Sequence, residues 1–274
     1  MEIDLEACLP SPADQKFLRA YADQLCAAHL VRRFEGFIHN LNGPLQILWL
    51  RSEQLEKDIG GLCDGRDESV TGGPAALGRK LRGRLDSFSK AFKQLDDSLK
   101  FITKDGVTRC RKGSEVLSLK DVLAEVLFLM KADMFFKHQV EVDFVPTAKV
   151  TQVLAQHNYL AAVFLSLIQN ALEAMVNSPV RRLAIEVDTD NQMVVTRVRD
   201  TGCGVDDRNI VRLFAPFFTT KDGQEYNGEV VNHRGLGLTL TAVLVFDYKG
   251  KMAVETNPDG TTFSVALPLY VLPE

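Results

Sequence analysis

The hydrophobic pattern of this chain changes period once, and that change restricts its fold more than any other feature. Between residues 14 and 60, Ala27, Leu30, Phe34, Phe37, Leu41, Leu48 and Leu55 recur at spacings of three, four or their sum. That is the seam of a long helix packing on other helices. Residues 60–74, GGLCDGRDESVTGGP, have no periodicity and read as a loop. A second seam follows, with Leu81, Leu85, Phe88, Phe92, Leu95, Leu99 and Ile102 alternating by four and three. Two helices joined by a loop cannot cover both of their apolar faces, so an antiparallel hairpin is expected over 17–104, after an N-terminal segment 1–16. Pairing with a second copy as a four-helix bundle would cover the remaining faces.

After KDGVTRCRKGSE, of which 105–115 read as a linker, the pattern becomes mixed. A helix-like stretch runs from Leu119 to Phe136, followed by the strand-like QVEVDFV and a helix from about Tyr159 to Met175. Two strands, LAIEVDT and MVVTRVRD, flank a turn at Asp190 and Asn191. The chain ends in the helix LGLTLTAVLVF and a hairpin, KMAVET and TFSVALPL around NPDG. The fold class expected is therefore α+β: a long helical hairpin followed by an α/β sandwich over 116–274.

With 274 residues, 46% of them hydrophobic, the chain can bury one or two sizeable cores. Its net charge of -4 offers no basic field for nucleic acid or an anionic membrane. Its longest apolar stretch, LAAVFLSLI, is too short to span a bilayer, and the N-terminus lacks the pattern of a signal peptide. A cytoplasmic protein is expected. The five cysteines show neither paired spacing nor a histidine partner pattern, so they read as reduced bystanders.

Three segments carry chemistry. In YLAAVFLSLIQNALEAM, Ser166, Asn170, Glu173 and then Asn177 lie four, three and four apart, a polar line along an otherwise apolar helix. In Met193 to Asp200, Val194, Thr196, Val198 and Asp200 share one face, so a carboxylate ends an inward-facing row just before DTGCGVDD. Gly202 and Gly204 would let the backbone approach a planar ligand whose amino group satisfies that carboxylate. In RGLGLTLT, Gly235, Leu236 and Gly237 open a helix whose free N–H groups suit a phosphate chain. Alone, each motif has a plainer reading: a solvated stripe, a turn, a close packing contact. Between them, RLFAPFFTTKDGQEYNGEVVNHRG is a long polar stretch with aromatic anchors, of the length that binding loops have.

In this order, and preceded by a helix bearing FIHNLNGPL, these segments resemble the sensor histidine kinases of two-component systems over about residues 30–270. FIHNLNGPL resembles the H box, SLIQNALEA the N box, DTGCGV and RGLGL the two glycine boxes, and LFAPFFTTK the F box. The resemblance implies a kinase that uses ATP and Mg²⁺, transfers a phosphoryl group to His39, and passes it to an aspartate on the receiver domain of a response regulator. It implies Asn170 as the Mg²⁺ ligand. Glu173, Asp200, Gly202, Gly204, Thr219, Lys221, Gly235, Leu236 and Gly237 would join Asn170 around the nucleotide. A homodimer through the hairpin is also implied, and with only about 30 residues ahead of the H box the input is expected from a separate sensor protein, from residues beyond this sequence, or from the segment MEIDLEACLPSPADQKF itself.

His39 falls on the outward face of its helix if 34, 37, 41 and 48 form the seam, and Gly43 and Pro44 bend the helix just after it. The sequence departs from the family at four positions. Asn40 stands where many members have the Glu or Asp that takes the imidazole proton, and an amide is no base. Gly43 stands where phosphatase-competent members have Thr or Asn. Ser166 replaces a common asparagine, and His233 a common glycine. These departures open a second reading, a phosphotransfer or scaffold pseudokinase with a weakened ATP site. Chaperone-type and topoisomerase-type ATPases of the same superfamily place a glutamate base at position 166. Related serine kinases lack the HNLNGPL setting.

Overall fold

The computed structural model describes residues 1–21, 45–54, 57, 82–93, 113–221, 225–226, 229–230 and 235–271. The chain divides into two compact units: Met1–Arg33 together with Arg109–Glu274, and Phe34–Thr108.

The larger unit is a two-layer sandwich. Its six-stranded sheet contains β1 (Glu2–Ile3), β3 (Glu141–Pro146), β5 (Arg182–Asp190), β6 (Met193–Asp200), β9 (Lys251–Asn257) and β10 (Gly260–Pro268), in the order β1-β9-β10-β6-β5-β3. β3 and β5 run parallel, and every other pair is antiparallel. Period-two burial marks one covered face: Leu183, Ile185 and Val187 on β5, Val194, Thr196 and Val198 on β6, and Phe263, Val265 and Leu267 on β10 are all buried.

Three main helices cover that face: α2 (Leu119–Met130), α4 (His157–Ala174) and α6 (Gly237–Asp247), with α4 packed on β6 and between the other two. Phe164, Leu167, Ile168 and Leu172 of α4 are fully buried at this junction. Each contributes on the order of 1.5–3 kcal/mol relative to exposure.

The expected single helix from Leu119 to Phe136 is two helices. α2 ends at Met130, and α3 (Met134–Gln139) begins anew with Asp133 as its N-cap, accepting from the Phe136 amide at 2.9 Å. The apolar pattern runs across this break, and only the capping aspartate marks it. The short strands β2 (Glu115–Ser118) and β4 (Gln152–Ala155) pair with each other in a separate two-stranded sheet.

The N-terminal residues are part of this sandwich. β1 adds to the edge of β9, pairing Glu2 with Ala253 and Ile3 with Met252. Asp4 caps the single-turn α1 (Leu5–Cys8), and residues 12–21 are helical. Ile3, Leu5 and Leu18 are buried in the domain core, and Arg19 makes a two-pronged ion pair with Asp247 at the end of α6, both contacts 2.7 Å. A boundary at residue 16 or 17 thus cuts through a helix of the larger unit.

The smaller unit is helical over 45–54 and 82–93, and the Arg84 guanidinium joins the two by donating to the Gln54 carbonyl at 2.9 Å. Among its described seam positions, Leu48 and Phe88 are half-buried, whereas Leu85 and Phe92 are 53% and 57% exposed. The rest of the expected hairpin lies outside the described residues.

Candidate nucleotide site

One helix organises the site. Along α4, successive turns meet three glycine- and lysine-bearing segments, at Gly202, Lys221 and Gly237, that lie further along the chain. Ser166 faces the start of α6: a Cβ placed on Gly237 would sit 2.6 Å from Ser166 Oγ. One turn on, the Lys221 ammonium donates to the Asn170 backbone carbonyl and to Glu173 Oε2, each at 3.1 Å. At the C-terminal end, a Cβ on Gly202 would lie 2.6 Å from Ala174 Cβ, and the Cys203 amide donates to the Ala174 carbonyl at 3.3 Å. The residue types follow from these approaches, because a larger residue at 202 or 237 would push its segment off the helix.

Asp200 ends β6 facing inward and is 3% exposed. Two backbone amides converge on its Oδ1, from Gly202 at 2.8 Å and Thr261 at 3.2 Å. Oδ2 has no hydrogen bond among the described residues. Burial pushes the carboxyl pKa up to about 6, against the opposing pull of those two amides and of the Lys221 charge. A buried carboxylate with one oxygen held and the other open is built to accept from a ligand.

The loop after Asp200 is stapled to the β9–β10 hairpin. Gly204 adopts φ +69, which a side chain rarely tolerates, and a Cβ there would run into the Asn257 carbonyl oxygen. The Val205 amide donates to Thr256 Oγ1 at 2.8 Å, and Thr256 and Thr261 share a hydroxyl contact at 3.2 Å. Sequence reasoning missed Thr256 and Thr261 because both fit an ordinary strand pattern.

Glu173, 5% exposed, is held on both oxygens, by Gln169 Nε2 at 3.1 Å and by Lys221. The Asn170 side chain is half-buried and has no hydrogen-bond partner among the described residues. Thr219 Oγ1 accepts from the Lys221 amide at 3.1 Å, fixing the turn that aims the lysine. Gly235 accepts from the Phe217 amide at 2.9 Å, which ties the two ends of the intervening stretch together. Leu236 is buried at the N-cap of α6 without any side-chain cap, so the first-turn amides lack a side-chain acceptor there. In that same turn the Thr239 hydroxyl is buried without a partner.

The structure therefore brings Asn170, Glu173, Thr219 and Lys221 together, and sets Gly202 against Asp200, Gly204 against Asn257, Gly237 against Ser166, and Gly235, one residue before Leu236, against the Phe217–Phe218 backbone. Asn177, the last residue of the predicted polar line, is exposed beyond the helix end. His39 and Asn40 lie outside the described residues, as do Gly43, Pro44 and His233.

A six-stranded sheet covered on one face by helices thus carries a buried aspartate and glycine-bearing loops around one largely apolar helix with a polar line. Residues 155–271 match the family described as histidine kinase-, DNA gyrase B-, and HSP90-like ATPase. The chain is also similar to named sensor proteins and kinases. It is 32% identical over 167 residues to sensor protein FixL of Bradyrhizobium diazoefficiens, covering 60% of this chain and 31% of FixL. It is 28% identical over 160 residues to sporulation kinase A of Bacillus subtilis, covering 56% of this chain and 24% of that protein. The chain thus spans under a third of either relative. The crystal structure of full-length ShkA in complex with AMPPNP shares the fold at a TM-score of 0.50 and 20% identity, over 84% of this chain and 47% of that one. The chain is thus similar to these sensor and kinase proteins over more than half of its length, and shares its fold with ShkA.

Proposed function

We propose that this protein is an ATP-dependent histidine kinase that phosphorylates His39 and hands the phosphoryl group to an aspartate on a response-regulator receiver domain. The observation that carries the reading is Asp200, a buried carboxylate with one oxygen anchored by two backbone amides and the other open. Such a group matches the exocyclic amino group of adenine. Gly202 and Gly204 let the loop after Asp200 pack tightly on Ala174 and on the Asn257 carbonyl, which holds the carboxylate in place, and the uncapped start of α6 suits the phosphates.

Among the described residues no cluster of three or more His, Cys, Asp or Glu could hold a metal ion. A magnesium ion would therefore rely on the Asn170 amide oxygen together with phosphate oxygens, a hard oxygen set that fits this ion. Its chemistry there would be to neutralise charge on the phosphate oxygens. Lys221, already aimed into the cleft by Thr219, exchanges its contact with Glu173 for a phosphate oxygen. The attacking group is the neutral imidazole of His39. Asn40 cannot take its proton, so water or a residue of the ATP-binding domain does so, and turnover is slow.

Dimerisation is part of the proposal. Leu45, Ile47, Trp49, Leu50, Leu85 and Phe92 are exposed on the helical unit of a single chain, with Trp49 at 72%. Apolar surface of that kind is covered by a second copy. Similarity to a sensor protein and to a sporulation kinase supports a signalling role. The test is incubation with γ-labelled ATP and Mg²⁺. The kinase reading expects acid-labile, base-stable label that is absent in His39→Gln. Nucleotide binding with no label would instead establish the scaffold reading.

A further inference from the structure

Tyr226 sits in the polar stretch between Lys221 and Gly235, to which no motif assigns a role, yet it is only 7% exposed. Its hydroxyl donates to Asp133 Oδ2 at 3.0 Å, and its ring meets Phe135 edge-on, centroids 5.6 Å apart. Asp133 is also the N-cap of α3 through its other oxygen. The Arg181 guanidinium lies 5.2 Å from the Phe135 centroid. It donates to the carbonyls of Met175 and Val176, just past the end of α4, at 3.2 and 2.9 Å, and to Gln139 at the end of α3 at 2.9 Å. A continuous set of contacts thus runs from Tyr226 through α3 and Arg181 to the C-terminal end of the helix that carries Asn170 and Glu173. Five residues earlier, Lys221 holds the same helix directly.

We propose that Tyr226 is a positioning residue for the nucleotide: its bond to Asp133 fixes Tyr226 at α3, so that Lys221, five residues earlier in the chain, stays on α4 beside Asn170 and Glu173. This rests on the reading of the cleft there as the ATP site. With Lys221 and Tyr226 both fixed before nucleotide arrives, less conformational freedom is lost on binding than with Lys221 fixed alone. The fastening involves neither the γ-phosphoryl group nor the imidazole, so it favours ground state and transition state equally. It acts on KM for ATP and not on kcat.

Tyr226→Phe keeps the ring packing on Phe135 and removes only the hydroxyl. Asp133→Ser keeps an N-cap oxygen but is too short to reach Tyr226. In full-length protein, with His39 labelling rates measured against ATP concentration, each variant raises KM roughly three- to tenfold with kcat within twofold. The double variant is no worse than the poorer single one, because both remove the same bond. An unchanged KM in Tyr226→Phe, a fall in kcat alone, or additive effects would each overturn the proposal. So would a lowered melting temperature without any kinetic change, since that marks the contact as packing only. A wild type that neither binds ATP nor labels His39 would sink the site assignment and this inference together.

Discussion

Replacing Asp200 by asparagine has two consequences of opposite sign, both worked from the same geometry. Burial moves the carboxyl pKa from 3.8 to about 6, which costs the folded protein about 3 kcal/mol at neutral pH. Below pH 4 the group is protonated in folded and unfolded chains alike, and the cost vanishes. Between about pH 4 and 6 the unfolded chain ionises first, so stability falls as pH rises; above 6 the deficit is constant. Asparagine keeps an oxygen for the amides of Gly202 and Thr261 and carries no charge. The variant is therefore more stable than wild type at pH 7 by up to about 3 kcal/mol, roughly 6–10 °C in Tm, and the gap closes towards pH 4. The same change puts an N–H where Oδ2 was, facing the adenine amino group with a second donor. Loss of that hydrogen bond, about 1.5–3 kcal/mol, weakens ATP binding roughly 10- to 150-fold. Melting curves from pH 4 to 8 and a fluorescent-nucleotide titration measure the two effects. An Asn variant that melts lower than wild type at pH 7, or that binds ATP equally well, refutes the reasoning.

Gly202→Ala drives a methyl group to 2.6 Å from Ala174 Cβ and 2.8 Å from Asp200 Oδ1; it costs about 1–3 kcal/mol in urea unfolding and abolishes nucleotide binding in the same titration. Lys221→Met removes the Lys221–Glu173 ion pair at a carboxylate that is 5% exposed. Since the lysine is a quarter exposed, the loss is screened to about 1–2 kcal/mol, and Glu173→Gln added to it restores most of the urea midpoint. Leu18→Ala empties a 2% exposed site and lowers the stability of the larger unit by about 2–4 kcal/mol. Arg19→Ala, which removes a partly solvated pair, costs under about 1 kcal/mol in the same denaturation experiment.

The parts of the fold that show in the sequence are those whose signal is local. The alternation from Val194 to Asp200 places the carboxylate on the covered face because each residue on that face is buried by the same helix layer. The polar line of Ser166, Asn170 and Glu173 runs along α4 because an otherwise apolar helix can carry polar groups only where it borders a cleft. What stayed hidden depends on contacts between distant segments. β1 is two residues long, too short to show a period, and it pairs across about 250 residues of chain. Tyr226 looks like one aromatic in a polar loop until Asp133 is brought to it. Thr256 and Thr261 read as strand residues, and only the tight loop at Gly204 turns their hydroxyls and amides into supports for Asp200. Asn40 and Ser166 depart from the family pattern. For Ser166 the structure supplies a physical reason, since its small side chain lets α6 begin against α4.

The central claim is that Asp200, Asn170 and the start of α6 hold one magnesium nucleotide. A crystal structure of the full chain with a non-hydrolysable ATP analogue and Mg²⁺ tests it most directly. The account predicts the adenine amino group within hydrogen-bonding distance of Asp200 Oδ2, the metal on the Asn170 side chain, and the phosphates at the first turn of α6. A nucleotide bound elsewhere, or a cleft still closed by Lys221 on Glu173 at saturating analogue, would contradict it.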